Sequence, residues 1–306
     1  MSLSVPDRTE SNSTQRKHKL FYGWWIVVAA SIQGMFGNGT ISSGFPIFFQ
    51  PIRETLGINY AQMSLVFGLA RAEGGMGGPI VGWLVDRYGS RRFVILGGFL
   101  AAIGLILLSR ATTYWQLMLL FVGVVSIGKT AGLGQTLMAT VNQWFIRRRA
   151  LAMSTLMTAF AGGGAIVVPL LGIGIANLGW RQTLLYAGLF VGFISFGISL
   201  VIRSKPEDIG LLPDGDLPQG SLGEVSAGQG DKPSQVQRAE FTVRQALRTK
   251  TFWLMLIGVV TRVSATNAII VHLFPILEQE GLGPQTASFY ASFMFFLAIP
   301  LRFLLG

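Results

Sequence analysis

Apolar residues gather along this chain in long blocks, separated by short polar stretches. A helix needs about 20 mostly apolar residues to cross a bilayer. Eight blocks meet that need: residues 22–49, 60–83, 93–109, 114–141, 150–176, 180–202, 251–277 and 284–305. The connections are short except for residues 203–250. Trp24, Trp25, Tyr114, Trp115, Trp144, Trp180 and Trp253 fall near block ends, where aromatic belts sit at a membrane interface. The pattern predicts an all-α polytopic membrane protein in four parts. Residues 1–19 form a disordered tail, 20–202 a six-helix bundle, 203–250 an inter-domain loop and 251–306 two further helices.

Composition supports this reading. Half of the residues (51%) are hydrophobic and 12% are charged, where a soluble domain carries about 25% charged residues. The 39 glycines suit membrane helices, which hold more glycine than soluble ones. There is no cysteine, so disulfides and thiolate metal sites are excluded. Residues 1–19 are polar and contain no short apolar core, so they read as a cytoplasmic extension and not as a secretory signal.

A net charge of +10 raises the question of nucleic acid. The distribution answers it. With the N-terminal tail inside, Arg8, Arg16, Lys17, Lys19, Arg87, Arg91, Arg92, Arg147, Arg148, Arg149 and seven cations of residues 203–250 lie on the inner side. Only Arg53, Arg110 and Arg181 lie outside. The positive-inside rule therefore sets an N-in topology, and topology accounts for the charge. No nucleic-acid reading motif is present, so no nucleic-acid partner is expected.

The chain repeats itself. Trp24 pairs with Trp253, Asn38 with Asn267 and Phe45-Pro46 with Phe274-Pro275, all at an offset of 229 residues. At an offset of 224, Gly57 pairs with Gly281, Ser64 with Ser288 and Gly82 with Gly306. The seventh and eighth blocks thus repeat the first and second, as in transporters built from related halves. On this reading four further helices are expected beyond Gly306, and the 306-residue chain alone is expected to transport nothing.

Residues 82–92 read Gly-Trp-Leu-Val-Asp-Arg-Tyr-Gly-Ser-Arg-Arg. They resemble the Gly-x-x-x-Asp-Arg-x-Gly-Arg-Arg signature of the major facilitator superfamily. Residues 144–152, Trp-Phe-Ile-Arg-Arg-Arg-Ala-Leu-Ala, resemble the helix-5 entry of monocarboxylate transporters and oxalate/formate antiporters, with Ser154 where those families have glycine. Residues 206–215, Pro-Glu-Asp-Ile-Gly-Leu-Leu-Pro-Asp-Gly, and the helix-1 entry Phe-Tyr-Gly-Trp-Trp at 21–25 are similar to the same families. The entry lacks the acidic residue of the animal proteins. The resemblance implies the superfamily fold: a complete N-terminal six-helix bundle plus the first two helices of a C-terminal bundle.

Within that signature Gly82 permits close helix contact. Asp86 stands where a carboxylate can pair with Arg87, Arg91 or a helix N-terminus. With Gly89 and the basic turn Arg147, Arg148 and Arg149, it is read as a cytoplasmic latch. A plain charged turn that marks topology is the bland alternative.

Ionisable groups inside a membrane are costly and usually functional. They are Arg71 and Glu73 in the second block, Lys129 in the fourth, Arg262 and His272 in the seventh, and Arg302 in the eighth. Cations outnumber the single carboxylate, so the cavity is expected to attract an anion. The resemblance gives Arg302 the role of binding substrate carboxylate. A planar guanidinium suits that role. The alternative is an arginine that snorkels to the inner face. Arg71 is read equally as a substrate contact or as a buried structural cation beside Gly74, Gly78 and Gly82, a glycine face for tight packing. Gly132, Thr136 and Thr140 are predicted to share the face of Lys129 as a polar cavity wall. Lys129 itself is a candidate for substrate binding or proton coupling. The superfamily lines its cavity with helices 1, 4, 7 and 10, which adds Gln33, Asn38, Arg262 and Asn267 as candidates. Glu73 and His272 are candidates for proton coupling, with His272 favoured as a satisfied polar residue. Gly162, Gly163, Gly164, Pro169, Gly172 and Gly174 read as kinking and close packing in helix 5.

Residues 213–238 are rich in Gly, Pro, Ser and Gln and are expected to be disordered. Residues 241–250 read as an amphipathic helix on the inner surface. No P-loop, metal cluster or nucleophile elbow appears, so no enzyme activity or cofactor is expected. The leading expectation is a monomeric inner-membrane secondary transporter of a small organic anion. Coupling would be by proton symport or anion exchange, with the lipid bilayer as its other partner. A superfamily exporter of amphipathic compounds and a transport-dead receptor are the rivals.

Overall fold

The structure is a computed structural model that describes residues 21–211, 214 and 248–305, without the side chains of residues 208, 209, 278, 284 and 298–305. The expected N-terminal tail, most of the 213–238 segment, residues 241–247 of the amphipathic helix and Gly306 lie outside the described residues. Every long described element is a helix, and no strand occurs among the described residues.

The first pass is interrupted. Helix α1 (Tyr22–Asn38) runs into a π-helical stretch (Gly39–Gly44), a 3-10 turn (Phe45–Phe48) and α2 (Phe49–Leu56). Pro46 supplies no backbone N–H, which loosens the regular ladder there. Gly57, at φ +63°, ends α2. Helix α3 (Tyr60–Tyr88) begins on a capping box in which Asn59 and Gln62 satisfy each other's backbone N–H. Gly89, at φ +86°, separates it from α4 (Ser90–Leu108).

The fourth pass is built from α5 (Tyr114–Met118), a π-helical stretch (Leu119–Ser126), α6 (Ile127–Gly132) and α7 (Gln135–Trp144). Two passes make up α8 (Arg149–Val201). They reverse at Gly179, whose φ of +78° and ψ of 163° only glycine adopts readily. After the short 3-10 turn Pro206–Ile209 come α9 (Lys250–Gln279) and α10 (Pro284–Leu305).

Ser90–Leu108, Tyr114–Trp144, Arg149–Val201 and Lys250–Leu277 are each long and apolar enough to cross a membrane. Large apolar side chains are exposed along them, including Leu96, Ile103, Phe193 and Leu200. A soluble surface rarely shows such a belt. The protein is a multi-pass membrane protein.

Small residues set how closely the helices approach. A Cβ on Gly97 would lie 2.4 Å from the Gly132 nitrogen, and one on Gly128 would lie 2.4 Å from the Ala101 nitrogen. Gly97 and Ala101 on α4 thus meet Gly128 and Gly132 on α6 backbone to backbone, a crossing that larger residues forbid. Gly163 of α8 meets the Met35 carbonyl of α1 in the same way, with 2.2 Å left for a Cβ. Gly164 and Gly172 receive Phe295 and Ser288 of α10. The helix-5 glycines therefore serve packing, as the sequence suggests. Gly82 does not: nothing lies within 4 Å of its Cβ position. The close contacts of that face belong to Gly78 (Gln135) and, more loosely, Gly74 (Thr130).

Two apolar clusters fill the bundle. At the basic end, where α1 starts and α7 stops, Trp144 and Phe145 are buried among Ile26, Leu137 and Leu156. Phe21 and Tyr22 pack against Trp144, with ring centroids 6.0 and 5.6 Å away. Tyr22 donates its hydroxyl to the Val201 carbonyl at 2.8 Å. At the opposite end, the Trp180 indole N–H donates to the Thr55 hydroxyl at 2.9 Å, and Arg181 donates to the Ser109 carbonyl at 3.1 Å.

Candidate functional site

The two π-helical stretches face each other across a cavity of about 70 Å³. Ile41 and Ser42 come from the first, Phe121 and Ser126 from the second, with Phe67, Ala70, Arg71 and Lys129 completing the wall. Stretches of this kind recur at functional sites, because they turn side chains out of the regular helical phase. The space holds a few water molecules or a small polar group.

The wall has two characters. Arg71 and Lys129 bring cationic heads, and Ser42 and Ser126 bring hydroxyls. The Ser42 hydroxyl is buried and has no partner. Phe67, Phe121 and Ile41 make the other side apolar. Behind them the rings continue: Phe121 stacks on Phe45 at 3.9 Å, and Phe67 touches Phe45, Phe49 and Phe121 at 5.6–5.8 Å. These rings form an aromatic plug beside the cavity.

Glu73 lies just behind the wall between α3 and α6. It accepts hydrogen bonds from the hydroxyls of Ser126 and Thr130. The Ser126 hydroxyl is also within 2.9 Å of the Ala70 carbonyl. Arg71 turns the other way. Its guanidinium donates to the side-chain carbonyl of Asn267 on α9. Arg71, Glu73 and Lys129 therefore gather in one place, with Asn267 as the contribution of the last two helices.

Other sequence candidates lie elsewhere. Gln33 is buried between α1, α4 and the second arm of α8, where it donates to the Ser195 hydroxyl at 2.8 Å and abuts Gly98. It is not on the cavity wall. Asn38 ends α1 half-buried and is not part of the wall either. Thr136 and Thr140 are buried and bond to the Ala131 and Thr136 carbonyls, while Gly132 meets the backbone of Gly97 and Gly98. The predicted polar stripe faces helix neighbours and not the cavity. Arg262 is exposed on α9. His272 lies against the Phe49 ring at 6.4 Å, near the plug. Arg302 belongs to α10, with its side chain outside the described residues.

The latch candidates sit at the basic end. Asp86 is exposed and makes no ion pair with Arg87 or Arg91. Arg87 lies over the rings of Trp83 and Tyr88 at 5.6 and 5.7 Å. Arg91 donates to the Ser199 carbonyl at 3.3 Å, and Gly89 abuts the Ser204 hydroxyl. Arg149 donates to the Asn142 side chain at 2.7 Å. One acidic partner at this end had no role assigned from sequence. Asp214 accepts backbone hydrogen bonds from Ile146 and Arg147 at 2.8 and 2.6 Å and, longer, from Arg148 at 3.4 Å. Its sequence signal was its place in the Pro-Asp-Gly segment, coupled to a basic turn that has no acidic residue of its own.

The family model described as Major Facilitator Superfamily matches residues 21–306. Among curated proteins, monocarboxylate transporter 2 of Mesocricetus auratus is 26% identical over 286 residues, covering 90% of this chain and 57% of that protein. Monocarboxylate transporter 2 of Homo sapiens is 23% identical over 287 residues, 90% of this chain and 58% of that protein. The chain spans little more than half the length of these relatives. Among solved structures, a bacterial homolog of the human lysosomal transporter Spinster, in an inward-facing and unoccupied conformation, covers 90% of this chain and 60% of its own. It superposes with a TM-score of 0.65 at 20% identity, a likeness of fold.

Proposed function

The chain belongs to the Major Facilitator Superfamily, and we propose that it serves as a secondary transporter of a small organic anion, working by alternating access. The observation that carries this reading is the placing of two cations, Arg71 and Lys129, on one small cavity wall beside the hydroxyls of Ser42 and Ser126. A carboxylate meeting this wall gains charge-assisted hydrogen bonds. Phe67, Phe121 and Ile41 then receive its apolar part. The similarity to proteins named monocarboxylate transporters supports the same substrate class.

Arg71 is the main substrate contact in this proposal, with Lys129 beside it. Arg302 contributes from α10, as the resemblance in that helix suggests. Asn267 holds Arg71 until substrate arrives, and Arg262 serves the approach. Gln33 and Asn38 are left out, because neither reaches the wall. Glu73 is the proton-coupling candidate, since its carboxylate accepts from the Ser126 hydroxyl, which lines the cavity; His272 is kept behind it as a polar contact of the plug. The basic end is cytoplasmic, by the distribution of lysine and arginine, and the membrane is the inner membrane of the cell. The aromatic plug then closes the outer side. Asp86, Arg87 and Arg91 pair only when the inner side shuts.

The test is uptake of labelled acetate, lactate, formate and oxalate into proteoliposomes, with the protein expressed from its complete reading frame. Saturable, carboxylate-specific flux that falls in Arg71→Lys and Arg302→Lys supports the reading. Absence of any carboxylate-dependent flux or exchange overturns it.

A further inference from the structure

A second space lies away from the cavity of Arg71 and Lys129. It is a groove of about 390 Å³ where α1 meets both arms of α8. Packed protein holds few voids larger than a water molecule, so a groove of this size calls for an occupant.

Its floor and its rim differ. Thr40 of α1, Val167 and Leu171 of the first arm and Thr183 of the second are buried. Leu170, Leu178, Tyr186 and Phe190 line the same space and are exposed. The groove is therefore open along one side. That side belongs to the exposed apolar belt, which continues on the second arm with Leu189, Phe193 and Phe196. The base is solid: a Cβ on Gly174 would lie 2.9 Å from the Thr183 side chain, so the two arms touch beneath the groove. Phe36 and Phe190 meet edge to face at 5.0 Å and mark the end farthest from Gly179.

The polar atoms of the floor are already used. The Thr40 hydroxyl donates to the Phe36 carbonyl at 2.7 Å, and the Thr183 hydroxyl donates to the Gly179 carbonyl at 2.8 Å. Among the described residues, no charged side chain lines the groove. Water gains little there, because a buried water needs about two to four polar partners. A soluble anion finds no cation. Hydrocarbon fits, and it restores the dispersion contacts that an empty apolar groove forfeits.

The length fits one leaflet of a bilayer. The lining runs from Val167 to Leu178 on the first arm and from Thr183 to Phe190 on the second, either side of the reversal at Gly179. At 1.5 Å per residue the first arm supplies roughly 16 Å of groove, close to half of a hydrocarbon core of about 30 Å. The groove thus starts at the Gly179 end of the bundle and stops at the depth where the acyl chains of one leaflet end.

We propose that this groove seats one acyl chain of a membrane lipid, drawn from the leaflet at the Gly179 end. The chain lies between the two arms of α8, with its methyl end at Phe36 and Phe190 and its headgroup end beside Leu178. Seating of the chain does not depend on what the Arg71 cavity binds.

The test uses protein expressed from its complete reading frame, in phosphatidylcholine vesicles that carry a trace of lipid with a diazirine in one acyl chain. Photolysis and peptide mapping show where the chain touches protein. Residues 93–107 of α4, with Leu96, Leu100, Ile103 and Leu107 exposed, are an apolar stretch outside the groove and serve as the reference. Roughly fivefold more adduct per residue is expected on 167–190, because a seated chain has protein on several sides where a belt chain has it on one. Ala187→Leu and Ala187→Phe fill the groove in two steps. They are expected to remove that excess in the same order, with labelling of 93–107 as in the parent protein. Equal labelling of the two stretches in the parent overturns the proposal. So does lower labelling of 167–190, which a covering protein segment would give, or an excess that survives in both variants.

Discussion

Arg71 on α3 donates a hydrogen bond to Asn267 on α9, so a charged side chain of the cavity is held across the boundary between the two repeated halves. Asn267 is the repeat partner of Asn38, yet the two asparagines have different surroundings: one grips an arginine and the other ends a helix beside the wall.

If Arg71 exchanges Asn267 for a substrate carboxylate, removing each partner has a different effect. Arg71→Ala is expected to weaken carboxylate binding by roughly tenfold or more, since a hydrogen bond to a charged group contributes about 1.5–3 kcal/mol. Asn267→Ala frees the guanidinium and is expected to leave binding unchanged or tighter. Titration of labelled lactate against the purified protein measures both. Equal losses in the two variants contradict the exchange.

Glu73 carries its own prediction. Glu73→Gln keeps the shape and the contacts to Ser126 and Thr130 but cannot release a proton. Uptake driven by a proton gradient is expected to fall to background, while exchange of internal for external anion continues. Gradient-driven uptake at the parent rate in this variant removes Glu73 as the proton carrier.

The glycine contacts predict opposite outcomes at neighbouring positions. At Gly97 and Gly128 an added side chain meets backbone 2.4 Å away. Gly97→Leu and Gly128→Leu are expected to cost well above the usual 1–3 kcal/mol of overpacking and to abolish recovery of folded protein. Gly82→Ala has open space around it and replaces a helical glycine. It is expected to be neutral or to stabilise by about 0.5–1 kcal/mol. Size-exclusion profiles and melting curves in detergent separate the two classes.

Acidification acts on the contact of Asp214 with the Ile146–Arg148 backbone in a definite direction. Its folded-state carboxyl is shifted down, so the contact is fully present above the ordinary carboxylate range. It weakens only as the pH falls through the lowered value. The cations of the turn it sits on, Arg147, Arg148 and Arg149, stay charged throughout. The melting temperature in detergent is therefore expected to fall further on acidification in the parent protein than in Asp214→Asn. The reverse pattern contradicts the shift.

Much of this architecture is readable from the chain because membrane helices are written in long apolar blocks. The reversal at Gly179 was visible as the gap between the fifth and sixth blocks, and the exceptional cost of intramembrane charge singled out Arg71, Glu73 and Lys129 before any contact was known. What failed was extrapolation of helical phase. Thr136 and Thr140 share a face with Lys129 only if the fourth pass is one regular helix, and a break at Leu133 and Gly134 intervenes. Gln33 was placed on the cavity because helix 1 lines it, but its partner Ser195 lies 162 residues away and local pattern does not announce it. Asp214 was missed for the same reason. Asp86 is a different case: the signature places it beside Arg87 and Arg91, but adjacency in sequence does not fix which way exposed side chains turn.

The π-helical stretch Leu119–Ser126 has a mechanical implication. Its eight residues hold both Phe121, a ring of the plug, and Ser126, the hydroxyl on Glu73. If this stretch shifts and carries the ring away from Phe45, the Ser126 hydroxyl moves with it. The hydrogen bond to Glu73 then changes together with the ring packing. Aromatic contact and carboxylate hydrogen bonding are in this way coupled by a single short piece of backbone.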